Sequence, residues 1–581
     1  MSVQLQHMKT YEKWYWLNEN SRAFLSRGYL LEGQTPEERI RQIGERAERI
    51  LGKKGWADKF VEYMSRGWMS LATPVWANFG AGRGLPISCF GSYLPDNMAG
   101  ILFTEAEVGM MSKYGGGTSG YFGALRPRGA SIQVGGSSSG PVHFMQLFEA
   151  IVDVISQGKV RRGSFSPYFP VEHPDIMEFL DIGTEGNPIQ KMTHAVTVTD
   201  AWLKEMKEGD EEKRAVWAKI IQRRGEIGYP YILFVDNANN ARPDVYKDKD
   251  MKIFASNLCS EIMLPSSEAE SFVCCLSSVN LLHYEAWKGT DLIETMIELL
   301  DAVITEFCEK LEALRDSARA EDRRSFLFME RAYTFAKRHR ALGLGVLGWH
   351  SLLQSKMIHF DSTEAGKLNI DVFKHIRGKA DAASRALAEE FGEPEILKGY
   401  GRRNTTLLAV APTTSSAFIL GQVSQSIEPV WSNCYVKDVA KLKVTIRNPF
   451  LRELLSAKDK DTYEVWDSIR DNDGSVQHLG FLSEHEKNVF RTFAEIDQST
   501  VLEQAAARQH YIDQGQSLNI MVPPDASPKE VNALYMQAWQ LGIKALYYQH
   551  SMNAAQQLSR KKLLETRQRS PIANVCVACE A

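Results

Sequence analysis

Two hydrophobic periods alternate along the chain. Thr35 is an N-cap residue and Pro36 suits a first helical position. Behind them Ile40, Ile43, Ala47, Ile50 and Leu51 recur at helical spacing. Residues 1–70 are therefore expected to form a helical cap on the main domain. Strand signals come next. Ala195-Val196-Thr197-Val198 is rich in β-branched residues, and Tyr229 to Phe234 reads as a second strand ending in a polar loop at Asp236-Asn237. Thr406 to Ala411 reads as a buried strand. Between them Ile293, Ile297, Leu300, Ile304, Phe307, Leu311 and Leu314 step by four and three, which predicts a long amphipathic helix with Cys308 packed beside its stripe. Leu342 to Gly348 carries a glycine at every second or third position and no dinucleotide fingerprint, so close helix packing is expected there. Asp459 to Gly474 is charged and reads as an exposed excursion. Past His550 the hydrophobic content falls, and residues 551–581 read as a flexible tail.

Composition narrows the class. The chain has 581 residues, is 44% hydrophobic and 24% charged, and carries a net charge of −4, so no basic field points to nucleic acid. The N-terminus lacks a signal-peptide layout, and the most apolar window, Thr406 to Val423, contains Pro412 and a Thr-Thr-Ser-Ser run unsuited to a membrane span. Eight cysteines without an export signal suggest the reducing cytoplasm.

Chemistry concentrates in a few stretches. In Asn257-Leu258-Cys259-Ser260-Glu261 a thiol stands between a carboxamide and a carboxylate, each two residues away. In an extended loop all three would project to one side, as a thiol with its own acid/base group. Cys274 follows fifteen residues later. From Leu71 to Gly163 glycines are dense, notably Gly80, Gly82 and Gly84, Gly115 to Gly117, and a loop at 135–140 that reads as mobile. Lys159, Arg161 and Arg162 add cations. Together these suggest nucleotide handling by backbone N–H groups. Pro412-Thr413-Thr414-Ser415-Ser416, after a strand and before a helix start, suits an anion. Tyr547-Tyr548 alone would be two aromatic residues on opposite faces of a strand. The terminal Cys576-Val577-Ala578-Cys579 suits thiol–disulfide exchange, with a zinc half-site as the competing idea.

Taken in order, Ser88-Cys89, Ser256 to Ile262, Val273-Cys274-Cys275, Ala411 to Ser416, Ser426-Ile427-Glu428-Pro429, Leu546 to Gln549 and the terminal dithiol resemble the large catalytic subunit of a class I ribonucleotide reductase. The resemblance runs from about Leu71 to the C-terminus. It implies a ten-stranded α/β barrel of two five-stranded halves over 71–550, with a loop bearing Cys259 threaded through its centre. It further implies that Cys259 becomes a thiyl radical that takes hydrogen from C3′ of a ribonucleoside diphosphate. Glu261 would accept the 3′-hydroxyl proton and Asn257 hold the ribose hydroxyls. Cys89 and Cys274 would supply two electrons, and Tyr547 and Tyr548 relay the radical from a separate small subunit that holds the radical cofactor. Cys576 and Cys579 would reload the pair and be recycled by thioredoxin or glutaredoxin.

By the same resemblance Thr73, Ser88, Gly117, Arg161 and Thr413, Thr414, Ser415 and Ser416 bind substrate. A nucleoside triphosphate effector would sit against Asp96, Asn97, Met98, Arg126 and Ile132 at a homodimer interface, with Gln157 and Arg161 in a loop relaying its choice. No metal is expected in this chain. The family's N-terminal ATP-binding regulatory domain has no counterpart before Thr73. Two alternatives stand beside this reading: the adenosylcobalamin-dependent class of the same enzymes, and a non-catalytic nucleotide-binding regulator with a zinc-bound tail.

Overall fold

The computed structural model describes residues 11–133, 135–157, 162–439, 442–523 and 525–550. A short strand, β1 (Met69–Leu71), leads into β2 (Cys89–Tyr93), β3 (Gly117–Tyr121), β4 (Phe165–Pro170), β5 (Ala195–Val198) and β6 (Tyr231–Phe234). From β2 to β6 each strand pairs parallel with the next. Helices supply the crossovers that parallel strands require, among them Met98–Lys113 and Pro141–Val154.

The second half begins at β7 (Phe272–Asn280), which pairs parallel with β8 (Leu342–Leu347). Residues 406–410 lie against β8 through a parallel bridge at Leu344 and Leu408, with Leu344 N donating to Leu407 O at 2.7 Å. They meet residues 515–517 through a second parallel bridge, Val410 to Gln516. That segment runs into β11 (Ile520–Met521). The hairpin β9 (Cys434–Val439) and β10 (Leu442–Arg447) stands apart from this ladder. The last members are β12 (Ala545–Leu546) and β13 (Gln549–His550), the latter parallel to β11. Antiparallel pairing joins the halves at β2 with β7 and at β6 with β12. Five strands on each side thus close into the expected barrel, with two positions of the second half held by single bridges.

Every residue of β7 and of β8 is buried, as expected for parallel strands covered on both faces. The stretch from Leu342 is thus a barrel strand, which corrects the helix-packing expectation. Its glycines admit neighbouring backbone: a Cβ on Gly345 would lie 2.7 Å from Ala409 O. The long helix appears as Leu292–Arg315, with Ile293, Ile297, Leu300, Ile304, Phe307 and Leu311 buried and Cys308 packed among them.

Pro36–Leu51 is helical, and Thr35 and Glu38 form a full capping box. Its buried Arg39 donates to Trp76 O at 2.7 Å and Phe79 O at 2.6 Å, tying this helix to the approach to β2. Two loop expectations are corrected. Residues Val235–Asn240 form a helix rather than a loop. Tyr463–Asp471 is also helical, and Trp466 and Ile469 bury themselves in a small separate core, so only its charged face is an excursion. Ser131 and Ser137 are joined by an antiparallel bridge. Among the described residues no helix is long and apolar enough to cross a membrane.

The segment between Asp250 and Ser271 crosses the barrel interior. Tyr168 of β4 donates to Asn257 O at 2.7 Å, and Gly515 N on the other half donates to Glu261 O at 2.7 Å. Near its base, Asn239 holds Ile253 through both N–H and C=O.

Gly345→Ala is expected to cost about 1–3 kcal/mol by overpacking a strand with no room to shift. A urea midpoint unchanged from wild type would show that β8 and residues 409–410 can separate.

Candidate active site

Cys89 and Cys274 are Cα partners across the antiparallel seam between β2 and β7. Such partners lie roughly 4.5–5.5 Å apart, within disulfide reach. Both are unbridged thiols. Asn257 Nδ2 donates to Cys89 Sγ at 3.2 Å, and Gln514 Nε2 to Cys274 Sγ at 3.3 Å. Burial first, then the nearby Glu261 and Cys259, pushes the Cys89 thiol well up; burial does the same to Cys274 against the Gln514 hydrogen bond. Both sulfurs therefore stay protonated. The neighbouring Cys275 points to the other face of β7, toward Asp301.

Residues 257–261 are not extended, which corrects the basis on which the three side chains were grouped. They form a tight turn in which Ser260 N reaches Asn257 O at 3.3 Å and Ser260 takes a left-handed φ of 65°. The three groups still converge, because the turn is gripped from several sides. Asn257 Oδ1 accepts from Glu261 N at 3.1 Å and Ile262 N at 3.2 Å, which aims its amide nitrogen at Cys89. Ser517 Oγ lies 2.5 Å from Cys259 O and 2.9 Å from Glu261 Oε2. Burial raises the Glu261 carboxyl to about 7, with its backbone, Ser517 and Asn257 pulling the other way. A carboxyl so placed can accept and return a proton near neutrality.

On its other side Cys259 meets an aromatic stack. The Tyr547 hydroxyl interacts with Cys259, and burial followed by that contact pushes its pKa far up. The Tyr547 and Tyr548 ring centroids are 4.4 Å apart, so adjacent residues touch face to edge instead of pointing apart. Tyr231 completes a triangle, 4.6 Å from Tyr547 and 5.1 Å from Tyr548. Arg224 Nη1 donates to Tyr547 O at 2.9 Å and Pro230 O at 2.5 Å, fixing this seam between β6 and β12. Behind Tyr548, Asn519 accepts from its backbone N–H at 3.1 Å and donates to Glu428, whose carboxyl burial raises to about 7.

The hydroxyl turn opens the helix Thr414–Ile419, with Thr413 at a left-handed φ of 51°. Thr413 Oγ1 accepts from Ser426 N at 2.8 Å and Thr414 Oγ1 donates to Gln425 at 3.1 Å; Ser415 and Ser416 follow in the first helical turn. Thr73 begins the helix Thr73–Asn78 and meets Tyr29 at 3.0 Å. Gly117 opens β3 beside Cys89. Ser88 Oγ and Ser426 Oγ are buried without a hydrogen-bond partner, as groups awaiting a polar ligand would be.

Most of the glycines serve packing instead of a phosphate cradle. A Cβ on Gly84 or Gly115 would lie 2.2 Å from Gln157, and one on Gly116 2.3 Å from Phe90. Gln157 itself donates to Asn78 at 2.9 Å. Asp96 and Arg126 form a bidentate contact, Arg126 Nε to Oδ2 at 2.8 Å and Arg126 N to Oδ1 at 3.1 Å. Asn97 caps the helix Met98–Lys113, where Met98 is exposed, and Arg126 Nη1 donates to the carbonyl of Ser131, the residue before Ile132, at 3.2 Å. Arg161, Cys576 and Cys579 lie outside the described residues, as do all of residues 158–161.

Sequence reasoning missed Gln514, Ser517, Tyr168 and Tyr231. Gln514 and Ser517 stand in a polar run, Asp513 to Ser517, next to a β-prone stretch, and that burial of polar residues was the available signal.

A closed α/β barrel with a dithiol on one seam, a tyrosine pair on the other and a thiol loop between them defines a thiol-dependent redox enzyme. Two family models match nearly all of the described chain: "Ribonucleotide reductase, all-alpha domain" over residues 15–84, and "Ribonucleotide reductase, barrel domain" over 87–213, 210–396 and 393–549. The putative ribonucleoside-diphosphate reductase large subunit of Frog virus 3 (isolate Goorha) is 36% identical over 548 residues, 91% of this chain and 93% of that one. The large subunit from Invertebrate iridescent virus 3 is 31% identical over 602 residues, 90% and 92% of the two chains. Against the solved structure of the Actinobacillus ureae class Id ribonucleotide reductase alpha subunit the TM-score is 0.87 at 56% identity, over 94% of this chain and 99% of that one. The chain belongs to the ribonucleotide reductase family, as a class I large subunit.

Treatment with a diffusible disulfide is expected to bridge Cys89 to Cys274 within the barrel, separately from any bond between Cys576 and Cys579, read by peptide mass mapping without reductant. A bridge to Cys275 in its place would mean the β2–β7 register is wrong.

Proposed function

We propose that this chain reduces ribonucleoside diphosphates to 2′-deoxyribonucleoside diphosphates, with Cys259, Glu261, Asn257 and the pair Cys89 and Cys274 as its chemical groups. The observation that carries the reading is their convergence: one buried turn touches Cys89 through Asn257, Ser517 through Glu261 and the tyrosine stack through Cys259. A separate small subunit supplies the radical equivalent. Tyr548 and Tyr547 pass it inward to Cys259, a path that their 4.4 Å ring spacing supports.

The Cys259 thiyl takes the 3′ hydrogen atom while Glu261 takes the 3′-hydroxyl proton. The 2′-hydroxyl leaves as water with a proton from the cysteine pair. Cys89 and Cys274 then give up two electrons and close their disulfide, and Cys259 returns a hydrogen atom to C3′. Burial that keeps both sulfurs protonated suits this role, since the pair delivers protons along with electrons. Gln514 and Asn257 act as positioning residues for the two sulfurs.

Thr73, Ser88, Gly117, Arg161 and Thr413 to Ser416 hold the substrate diphosphate and ribose; the unpartnered Ser88 hydroxyl favours this. Asp96, Asn97, Met98, Arg126, Ile132 and Gln157 serve a nucleoside triphosphate effector at a homodimer interface. Exposed Met98 and Leu102 on one helix supply apolar surface for such a contact. Cys576 and Cys579 reload the active-site pair and are recycled by thioredoxin or glutaredoxin, which places the enzyme in the reducing cytoplasm.

Assay of the purified chain with a cognate radical subunit, a dithiol and a ribonucleoside diphosphate tests the reading. Deoxynucleotide is the expected product, and Cys259→Ser is expected to abolish turnover while nucleotide binding persists. Full activity of that variant would overturn the assignment.

Glu261 also predicts a pH profile. The base works deprotonated, and burial raises its pKa to about 7, so the active form is present above that value and is lost as pH falls through it. kcat should rise with pH to a plateau, with an inflection near 7. Glu261→Gln should be slow and lack that limb; an unchanged limb would assign it to another group.

A further inference from the structure

A cavity of about 640 Å³ opens at the other end of the barrel from the hydroxyl turn. The turn follows residues 406–410, whereas this cavity is lined by Arg402 before that strand, Asp513 before the 515–517 segment, Gly542 before β12, and Arg242 beyond β6. Its walls carry the cations Arg242, Lys247, Arg377 and Arg402, against the acids Asp244 and Asp513.

These cations are not evenly satisfied. Arg377 is paired, with Asp381 at 2.8 Å and with Asp513. Asp513 is further occupied by Leu407 N at 2.5 Å and Leu408 N at 3.3 Å. In Arg402, both Nε and Nη2 are buried without a hydrogen-bond partner. Arg242 donates through Nη1 to Asn239 O at 2.7 Å, while its Nε is buried and unpartnered. Among the described residues neither Arg242, Arg402 nor Lys247 makes an ion pair, although Asp244 and Asp381 offset part of the Arg402 charge.

The field reaches past the cavity wall. Lys544 does not line the cavity but is buried behind Asp513, with its ammonium donating to Asp513 O at 2.6 Å and Gln514 O at 2.7 Å. Burial first, then Arg377 and Lys247, pushes it down to about 7. Buried guanidinium N–H groups without acceptors are costly, and a cavity that keeps several of them calls for an anion. Guanidinium forks match phosphate oxygens in pairs.

We propose that this cavity binds an anion carrying two or more linked phosphates, gripped by Arg402 and Arg242 with Lys247 at the rim. Its volume falls within the range of small-molecule sites and exceeds what a single phosphate would fill. The phosphates could belong to free pyrophosphate or to the tail of a nucleotide; the cations recognise what the two share. This inference does not depend on the reaction proposed above, since none of its residues lies in the thiol centre or the hydroxyl turn.

The test is calorimetric titration of the full chain with pyrophosphate, in wild type and three variants. Thr414→Ala with Ser415→Ala weakens any binding at the hydroxyl turn and should retain the cavity component. Arg242→Gln with Arg402→Gln should weaken that component by at least about tenfold. Its dependence on salt should be steep in wild type and shallow in the variant. Lys247→Glu, an exposed change that leaves packing alone, should weaken binding several-fold and guards against misfolding of the double variant. ADP distinguishes the sources. If it binds the Arg402-sensitive component much more tightly than pyrophosphate, the ligand is a nucleotide; equal affinity assigns the free phosphates. Unchanged pyrophosphate stoichiometry and affinity in both the double variant and Lys247→Glu would overturn the site.

Discussion

Two parallel half-sheets can close into one barrel here only by meeting antiparallel, and both meeting lines carry chemistry. At the β2–β7 seam the register sets Cys89 opposite Cys274. At the β6–β12 seam it sets Ala545 and Leu546 against Leu233 and Ile232, so the chain emerges with Tyr547 and Tyr548 packed on Tyr231. The loop between Asp250 and Ser271 then has two thiols on one flank and an aromatic stack on the other, and its tip bears Cys259. Shifting either seam by one residue would turn the facing side chains to the opposite surface.

The interior of that barrel keeps protons on its groups. Both seam thiols, Tyr547 and Glu261 are all raised, with burial as the first cause in each case. Such a centre suits chemistry that moves hydrogen atoms and proton–electron pairs, because no isolated charge has to persist in a low dielectric. Glu261 is the exception by degree. Its contact with Ser517 and the shared Asn257 amide hold it near neutrality, where a proton can move either way. Charge is concentrated outside the centre. Arg224 braces the tyrosine seam through carbonyls, and the cluster of Arg242, Arg377 and Arg402 sits beneath the opposite rim. Asp513 and Lys544 join that rim to Gln514, and Gln514 joins it to Cys274.

Local sequence was a good guide where one short stretch decides an outcome. Thr35 and Pro36 marked a helix start, and the four-three stripe from Ile293 gave the helix Leu292–Arg315. The cysteines, the 257–261 group and the hydroxyl turn were legible as chemistry by residue type, the tyrosine pair only through the resemblance, and their order along the chain carried the family. Legibility failed where packing overrides pattern. The glycines from Gly80 to Gly120 resembled phosphate loops, yet several are small because Gln157, Phe90 or Phe165 fills the space a Cβ would need. Leu342 to Gly348 offered no period that separates strand from helix, since a strand buried on both faces has no alternation to show.

What the sequence determined by itself, then, was the set of thiols, carboxyls and hydroxyls on offer and the elements with local punctuation. Only the tertiary structure decided how those groups face each other. Cys89 and Cys274 lie 185 positions apart, Asn257 reaches a sulfur 168 residues away, and Ser517 meets a loop 256 residues earlier. The turn at Ser260 made the point most directly: the spacing of Asn257, Cys259 and Glu261 suggested an extended loop, and the barrel walls folded it instead into a left-handed bend. Contacts of that range follow from strand register and seam closure, which depend on the whole sheet at once, and no local period encodes them.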